Sequence, residues 1–113
     1  MSEEFWDYCN RLVKECQIQI DRPKGSIHPR FLNSKYPVDY GYLAGTTAVD
    51  GGGIDIWLGS SSKGTVVGVL CTVDLLKKDA ELKILYDCTD EEIQSVVNFI
   101  NSGEMRGIFI KCE

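Results

Sequence analysis

Four aspartates fall in two pairs of equal spacing. Asp50 and Asp55 stand five apart across Gly51-Gly52-Gly53, a glycine run that leads into an apolar segment, and Asp74 and Asp79 repeat the interval around Leu75-Leu76-Lys77-Lys78. Carboxylates are hard oxygen donors, and Asp clusters together with waters and phosphate oxygens supply the octahedral shell that Mg²⁺ prefers. If the two loops meet, the four side chains form one divalent-cation site. Asp and Gly are also the ordinary residues of polar turns, so on spacing alone a pair of decorated turns is the favoured reading.

Those loops need elements to hold them. Ser2 followed by Glu3 and Glu4 caps a helix start, and Phe5, Cys9, Leu12, Val13 and Cys16 then share one face, which predicts an amphipathic helix ending near residue 16. Residues 17–20 alternate polar and apolar before the Asp21-Arg22-Pro23-Lys24-Gly25-Ser26 turn and read as a short strand. Residues 27–53 are rich in Pro, Gly and Tyr without sustained periodicity, the composition of a site-bearing loop. Strand composition returns at 54–58, 65–73 and 82–86, with 59–64 as a turn joining the first two, so the reading is a β-meander. Thr89 and Glu92 have capping-box spacing, Ile93, Val96, Val97 and Ile100 form an apolar stripe, and Gly103 suits a helix C-cap. A strand at 107–112 closes an order of helix, strands, helix, strand, a mainly β chain of α+β class.

The remaining sequence narrows the chemistry. A chain of 113 residues is of single-domain length, and it buries enough surface to fold without a metal or disulfide staple. The net charge of −5 argues against a nucleic-acid or anionic-membrane partner. No uncharged stretch approaches the roughly 20 residues of a membrane span. Met1 to Glu4 lacks a signal-peptide start, so a cytoplasmic location is expected. Cys9, Cys16, Cys71, Cys88 and Cys112 are odd in number, scattered and free of CxxC pairing, as expected of reduced thiols. Residues 59–65 lack the GxxxxGK[ST] order of a phosphate loop, and Asp50 to Asp55 lacks the alternating ligands of an EF-hand. His28, the single histidine, has no cysteine near it in sequence and reads as a loop residue near a pocket; Trp6 and Trp57 read as packing residues.

Several blocks in one order resemble the soluble family I inorganic pyrophosphatases. Tyr36-Pro37-Val38-Asp39-Tyr40-Gly41-Tyr42-Leu43-Ala44-Gly45-Thr46, followed by Asp50-Gly51 and Asp55, is similar to the family signature Tyr-Pro-x-Asn-Tyr-Gly-Phe/Tyr-Ile-Pro-x-Thr and Asp-Gly-Asp-Pro-x-Asp. Pro23-Lys24-Gly25-Ser26 resembles the family's Pro-Lys-Gly-Ser turn, with Asp21 in the place of its preceding glutamate. Gly68-Val69-Leu70, Asp74 and Asp79 resemble its Gly-Val-Leu strand and two later aspartates. The resemblance spans residues 17–86 and, more loosely, the last helix and strand. It implies a small closed, five-stranded, OB-like β-barrel with helices outside, in one domain 1–113 made of a helix (1–16), barrel and metal-site loops (17–88) and a final helix and strand (89–113). It also implies Mg²⁺-dependent hydrolysis of pyrophosphate to two phosphates, with Mn²⁺ as the other candidate metal. By the same carry-over Asp50, Asp55 and Asp79 hold the first metal, Asp55 touches the second, and Asp74 with Asp79 collects metals arriving with substrate. Asp74 and Tyr40 are the catalytic candidates. Tyr36 and Tyr40 would bind substrate, with Lys24 and Arg30 as further candidates and Lys35 as another source of charge. Because family members commonly assemble, a homo-oligomer is an expectation as well.

This chain departs from the signature at defined places. Gly52 replaces the middle aspartate that in the family helps deprotonate the attacking water, a contribution of about 10²–10⁴-fold. Glu81 stands where the family has a phosphate-binding lysine, and its C-terminal Tyr-Lys pair has no counterpart around Phe99 to Asn101. Three readings follow: a minimal pyrophosphatase, a metal-dependent phosphohydrolase for another small phosphate compound, and a non-catalytic metal or phosphate-binding module.

Overall fold

The computed structural model describes residues 3–29, 31–48 and 51–113. Helix α1 (Glu3–Glu15) carries Glu3 and Glu4 in its first turn and Lys14 in its last, in line with the helix dipole, and buries Trp6, Cys9 and Val13. Its expected cap, Ser2, lies outside the described residues. There follow β1 (Ile18–Arg22), β2 (Asp39–Leu43), β3 (Ile54–Leu58), β4 (Val66–Asp74), β5 (Asp79–Tyr86), α2 (Asp90–Ile100) and β6 (Met105–Lys111).

The strands form one six-stranded sheet in the order β1-β2-β3-β5-β4-β6. This corrects the closed five-stranded barrel: β1 and β6 are the two edges of an open sheet. The reason lies in the central strands, where neighbouring residues bury opposite faces. Ile56, Val69 and Ile84 join Trp6, Cys9 and Val13 in one core cluster. Trp57, Leu70 and Leu85 join Val96 and Ile100 of α2 in the other. A barrel has one interior, whereas this sheet has two apolar faces, each covered by its own helix.

The expected meander is also corrected. β3 pairs in parallel with β5, not with β4, so residues 59–64 form a crossover rather than a hairpin turn. That loop is laced to the end of β5: Gly59 N–H donates to Tyr86, Ser61 N–H to Asp87, and Thr65 N–H to the Asp87 carboxylate at 3.0 Å. β4 and β5 form the hairpin instead, with Asp74 opposite Asp79.

The loop expected over 27–53 contains two ordered pieces. β2 lies inside it, held between β1 and β3, because pairing on both sides outweighs the weak strand propensity of Asp39 and Gly41. Gly41 is required there, since a Cβ would collide with the Gln19 backbone of β1. Upstream, residues 23–36 double back through an Ile27–Lys35 bridge and hydrogen bonds between His28 and Ser34 and between Ser26 and Tyr36.

α2 starts with the expected capping box, Thr89 Oγ1 accepting from Glu92 N and Glu92 Oε1 from Thr89 N. Its C-cap is Asn101 rather than Gly103. The Asn101 amide side chain donates to Val97 and Gly107 carbonyls and accepts from Gly107 N–H, which ties the helix end to β6. All five cysteines are free thiols. Among the described residues no helix is long and apolar enough to cross a membrane.

Candidate functional site

The pleat decides which side chains meet. On the α2 face of the sheet, Tyr40 pairs with Trp57, Leu70 with Lys83, and Thr72 with Glu81, while Asp55 and Asp74 each lie two residues along from a member of this set. Beyond the end of α2 this face is not covered by the helix, and a cleft of about 650 Å³ opens there. Tyr36, Tyr40, Asp55, Asp74, Glu81 and Lys83 all line it.

Lys83 organises its floor. The residue is 4% exposed, and its Nζ donates to Asp55 Oδ2 at 2.7 Å, to the Tyr40 hydroxyl at 2.9 Å and to Glu81 Oε2 at 3.3 Å. Burial alone would disfavour the ammonium; Tyr40 and Asp55 outweigh it and hold the Lys83 pKa above its ordinary value. Burial also raises the Tyr40 hydroxyl against the pull of Lys83, so it stays protonated and able to donate. Tyr36 is raised by burial in the same way, with Arg22 acting in the opposite direction.

Asp74 is positioned by its own turn. Its Oδ1 accepts from the Leu76 and Lys77 amides at 2.9 and 3.1 Å, so the carboxylate is fixed at the rim of the β4–β5 hairpin. Asp79, its cross-strand neighbour, is half-buried and is not among the residues lining the cleft. Lys24 is exposed away from the lining, its backbone N–H bound to Asp39 Oδ1 at 2.8 Å. Lys35 likewise lies outside the lining. Asp50 and Arg30 fall outside the described residues. Gly52, where the family's middle aspartate stands, is exposed.

The opposite wall is aromatic. Trp57, Tyr40, Tyr36 and His28 follow one another at centroid separations of 4.5, 5.6 and 5.7 Å, and Phe31 lies 4.9 Å beyond His28. His28 is thus a cleft residue, as its loop position suggested, and Trp57 is a core residue that also faces the cleft. Lys83 was not apparent as a site residue. Its signal was a lysine inside the apolar run Leu82-Lys83-Ile84-Leu85, a position that demands a partner once the strand is central.

A hard divalent cation suits these donors. Among the described residues no group of three or more His, Cys, Asp or Glu side chains is placed to hold a metal. Mg²⁺ nevertheless commonly needs only one or two carboxylates together with waters and substrate phosphate oxygens. Asp55 and Asp74, in one cleft, match that smaller requirement.

Several solved inorganic pyrophosphatases are similar to this chain in fold. The enzyme of Coxiella burnetii aligns with a TM-score of 0.58 at 15% identity, over 85% of this chain and 83% of that one. That of Helicobacter pylori aligns at 0.57 and 14%, over 83% and 81%, and that of Neisseria gonorrhoeae at 0.53 and 18%, over 80% and 71%. At such identities the likeness is one of fold. No protein-family model and no curated protein sequence matches the chain.

Proposed function

We propose that the chain is a divalent-cation-dependent phosphoanhydride hydrolase acting in this cleft, with cleavage of pyrophosphate to two phosphates as its reference reaction. The observation that carries the reading is the convergence of Tyr36, Tyr40, Asp55 and Asp74, distant in sequence, on one cleft in a fold shared with pyrophosphatases. In this proposal Asp55 and Asp74 hold Mg²⁺, or Mn²⁺ in its place. The bound metal would neutralise phosphate charge and acidify the attacking water. The protein's own part is positioning. Lys83 fixes the Asp55 carboxylate and orients the Tyr40 hydroxyl. Tyr40 and Tyr36, both kept protonated, donate to phosphate oxygens.

Phosphate release from pyrophosphate with Mg²⁺ or Mn²⁺, wild type against Asp74→Asn prepared identically, tests the proposal. The asparagine Oδ1 still accepts from Leu76 and Lys77, so the hairpin is retained while the anionic ligand is removed. The expected result is metal-dependent turnover in wild type that is lost in the variant. Equal rates in the two proteins would refute the assignment.

A second reading, hydrolysis of another phosphate compound, is favoured by one observation. Lys83 is already engaged by two carboxylates, and Glu81 brings an anion where the resemblance implies a cation. The site is therefore poorly furnished for a bare polyanion.

A further inference from the structure

The acidic floor of the cleft accounts for one end of a ligand. Tyr36 and Tyr40 bring hydroxyls that suit phosphate oxygens, but the Phe31 ring farther along the aromatic wall has no role in holding pyrophosphate, which presents only charged oxygens. A cleft of about 650 Å³ also falls within the roughly 300–1,000 Å³ typical of sites for organic ligands of drug size.

The rings form a graded column. Tyr40 sits at the floor with its hydroxyl on Lys83, Tyr36 stacks on it at an interplanar angle of 27°, and His28 stacks on Tyr36 at 5°. Phe31 follows at the rim, tilted 42° to His28 and 46% exposed, at the tip of the ribbon closed by the Ile27–Lys35 bridge. Its amide donates to His28 Nδ1 at 3.3 Å, and Ser34 N–H donates to the Phe31 carbonyl, so the backbone holds the ring at the rim. An exposed aromatic over a cleft presents a ready stacking face, and base–ring stacking is worth roughly a 5- to 150-fold gain in affinity. Arg22 and Lys77 also line the cleft.

Resting on the hydrolase reading above, we infer that the substrate of this site is a phosphoanhydride bearing a planar heterocycle, the class of nucleoside diphosphates. Its phosphates lie at Asp55 and Asp74 and its base stacks on the exposed ring of Phe31. In the reaction, water adds to the terminal phosphorus and the bond from that phosphorus to the bridging oxygen breaks. The bridging oxygen leaves on the nucleoside monophosphate, and a proton from the water passes to solvent.

The test separates binding from turnover by using carbon-bridged analogues. The affinities of α,β-methylene-ADP and methylenediphosphonate are measured by calorimetry with Mg²⁺ present, for wild type, Phe31→Ala and Phe31→Tyr. Wild type is expected to bind the ADP analogue roughly tenfold or more tightly than the ring-free one, Phe31→Ala to shrink that ratio at least fivefold, and Phe31→Tyr to preserve it. Equal affinities in wild type, or an equal loss for both ligands in Phe31→Ala, would overturn the inference. The Asp74→Asn rate comparison fails independently: phenylalanine-dependent binding without turnover would remove the hydrolase and leave the ring site. Turnover of pyrophosphate with no preference for the ADP analogue would do the reverse.

Discussion

Replacing Lys83 by methionine keeps the length of the side chain and removes its charge. Three bonds are lost, to Asp55, Tyr40 and Glu81, at 2.7, 2.9 and 3.3 Å. Removing one partner of a buried ion pair costs about 3–5 kcal/mol because the other charge is left behind. Here the Asp55 and Glu81 side chains keep 25% and 12% of their exposure, which lets water screen part of that penalty and puts the expected loss near 3 kcal/mol, or roughly 10–15 °C in Tm. The pH dependence identifies the cause. Without the ammonium, Asp55 and Glu81 are two neighbouring partly buried carboxylates, so their folded pKa values rise above the unfolded values of about 3.9 and 4.3. The folded variant then binds more protons than its unfolded chain, and its stability increases as pH falls through those values. In wild type the Lys83 pKa is raised on folding, so its contribution is complete below about pH 10.4 and constant across the acidic range. Urea unfolding at pH 7 and pH 4.5 should therefore show a deficit that narrows at the lower pH. A deficit under about 1 kcal/mol at pH 7, or one that does not narrow at pH 4.5, would refute the role given to Lys83.

Other perturbations test separate parts of the structure. Burial works against the Glu92 charge, but the Thr89 and Ser60 amides outweigh it and hold its carboxyl below the ordinary value. Glu92→Gln should therefore cost about 1 kcal/mol at pH 7, a difference present above pH ~4.3 and lost as pH falls through the lower folded value; thermal unfolding over pH 3–7 reads it. Burial, with Glu92 and Asp87 nearby, pushes the Cys88 thiol up to about 12. Iodoacetamide at pH 8 should modify half-exposed Cys16 and Cys71 and spare Cys88, as judged by mass spectrometry of the folded protein. Gly41→Ala drives a methyl into the Gln19 backbone and should cost about 3 kcal/mol, whereas Gly103→Ala meets only Phe31 at 3.8 Å and should cost under about 1 kcal/mol in urea unfolding.

The local elements were legible in the residues because each rests on short-range physics. The stripe Phe5, Cys9, Leu12, Val13, Cys16 and the Thr89–Glu92 box report a 3.6-residue period and a satisfied helix start, and both helices are found where those signals lie, although the first buries Trp6 with Cys9 and Val13. The run at β3 is bounded as its composition implies, and the aspartate pair around residues 75–78 does bracket a hairpin. Of the candidate site residues, Asp55, Asp74, Tyr36 and Tyr40 share one cleft, while Asp79 and Lys24 lie outside its lining.

Strand order was settled only by the three-dimensional structure. A meander and a crossover use the same strands and differ in whether β5 inserts between β3 and β4, a choice made by long-range burial on both faces of the sheet rather than by the residues at 59–64. The same holds for Lys83. Charge inside an apolar strand signals that a partner exists, yet that partner is Asp55 on a strand 28 residues away, brought beside it by the parallel β3–β5 pair. The ring column likewise joins His28 and Phe31 of the ribbon to Tyr40 and Trp57 of the sheet, positions with no periodic relation in the chain. Residue types and spacing thus determined the chemistry available and the local elements; pairing at a distance decided which of those groups meet, because contact energy depends on proximity in space and not on proximity in sequence.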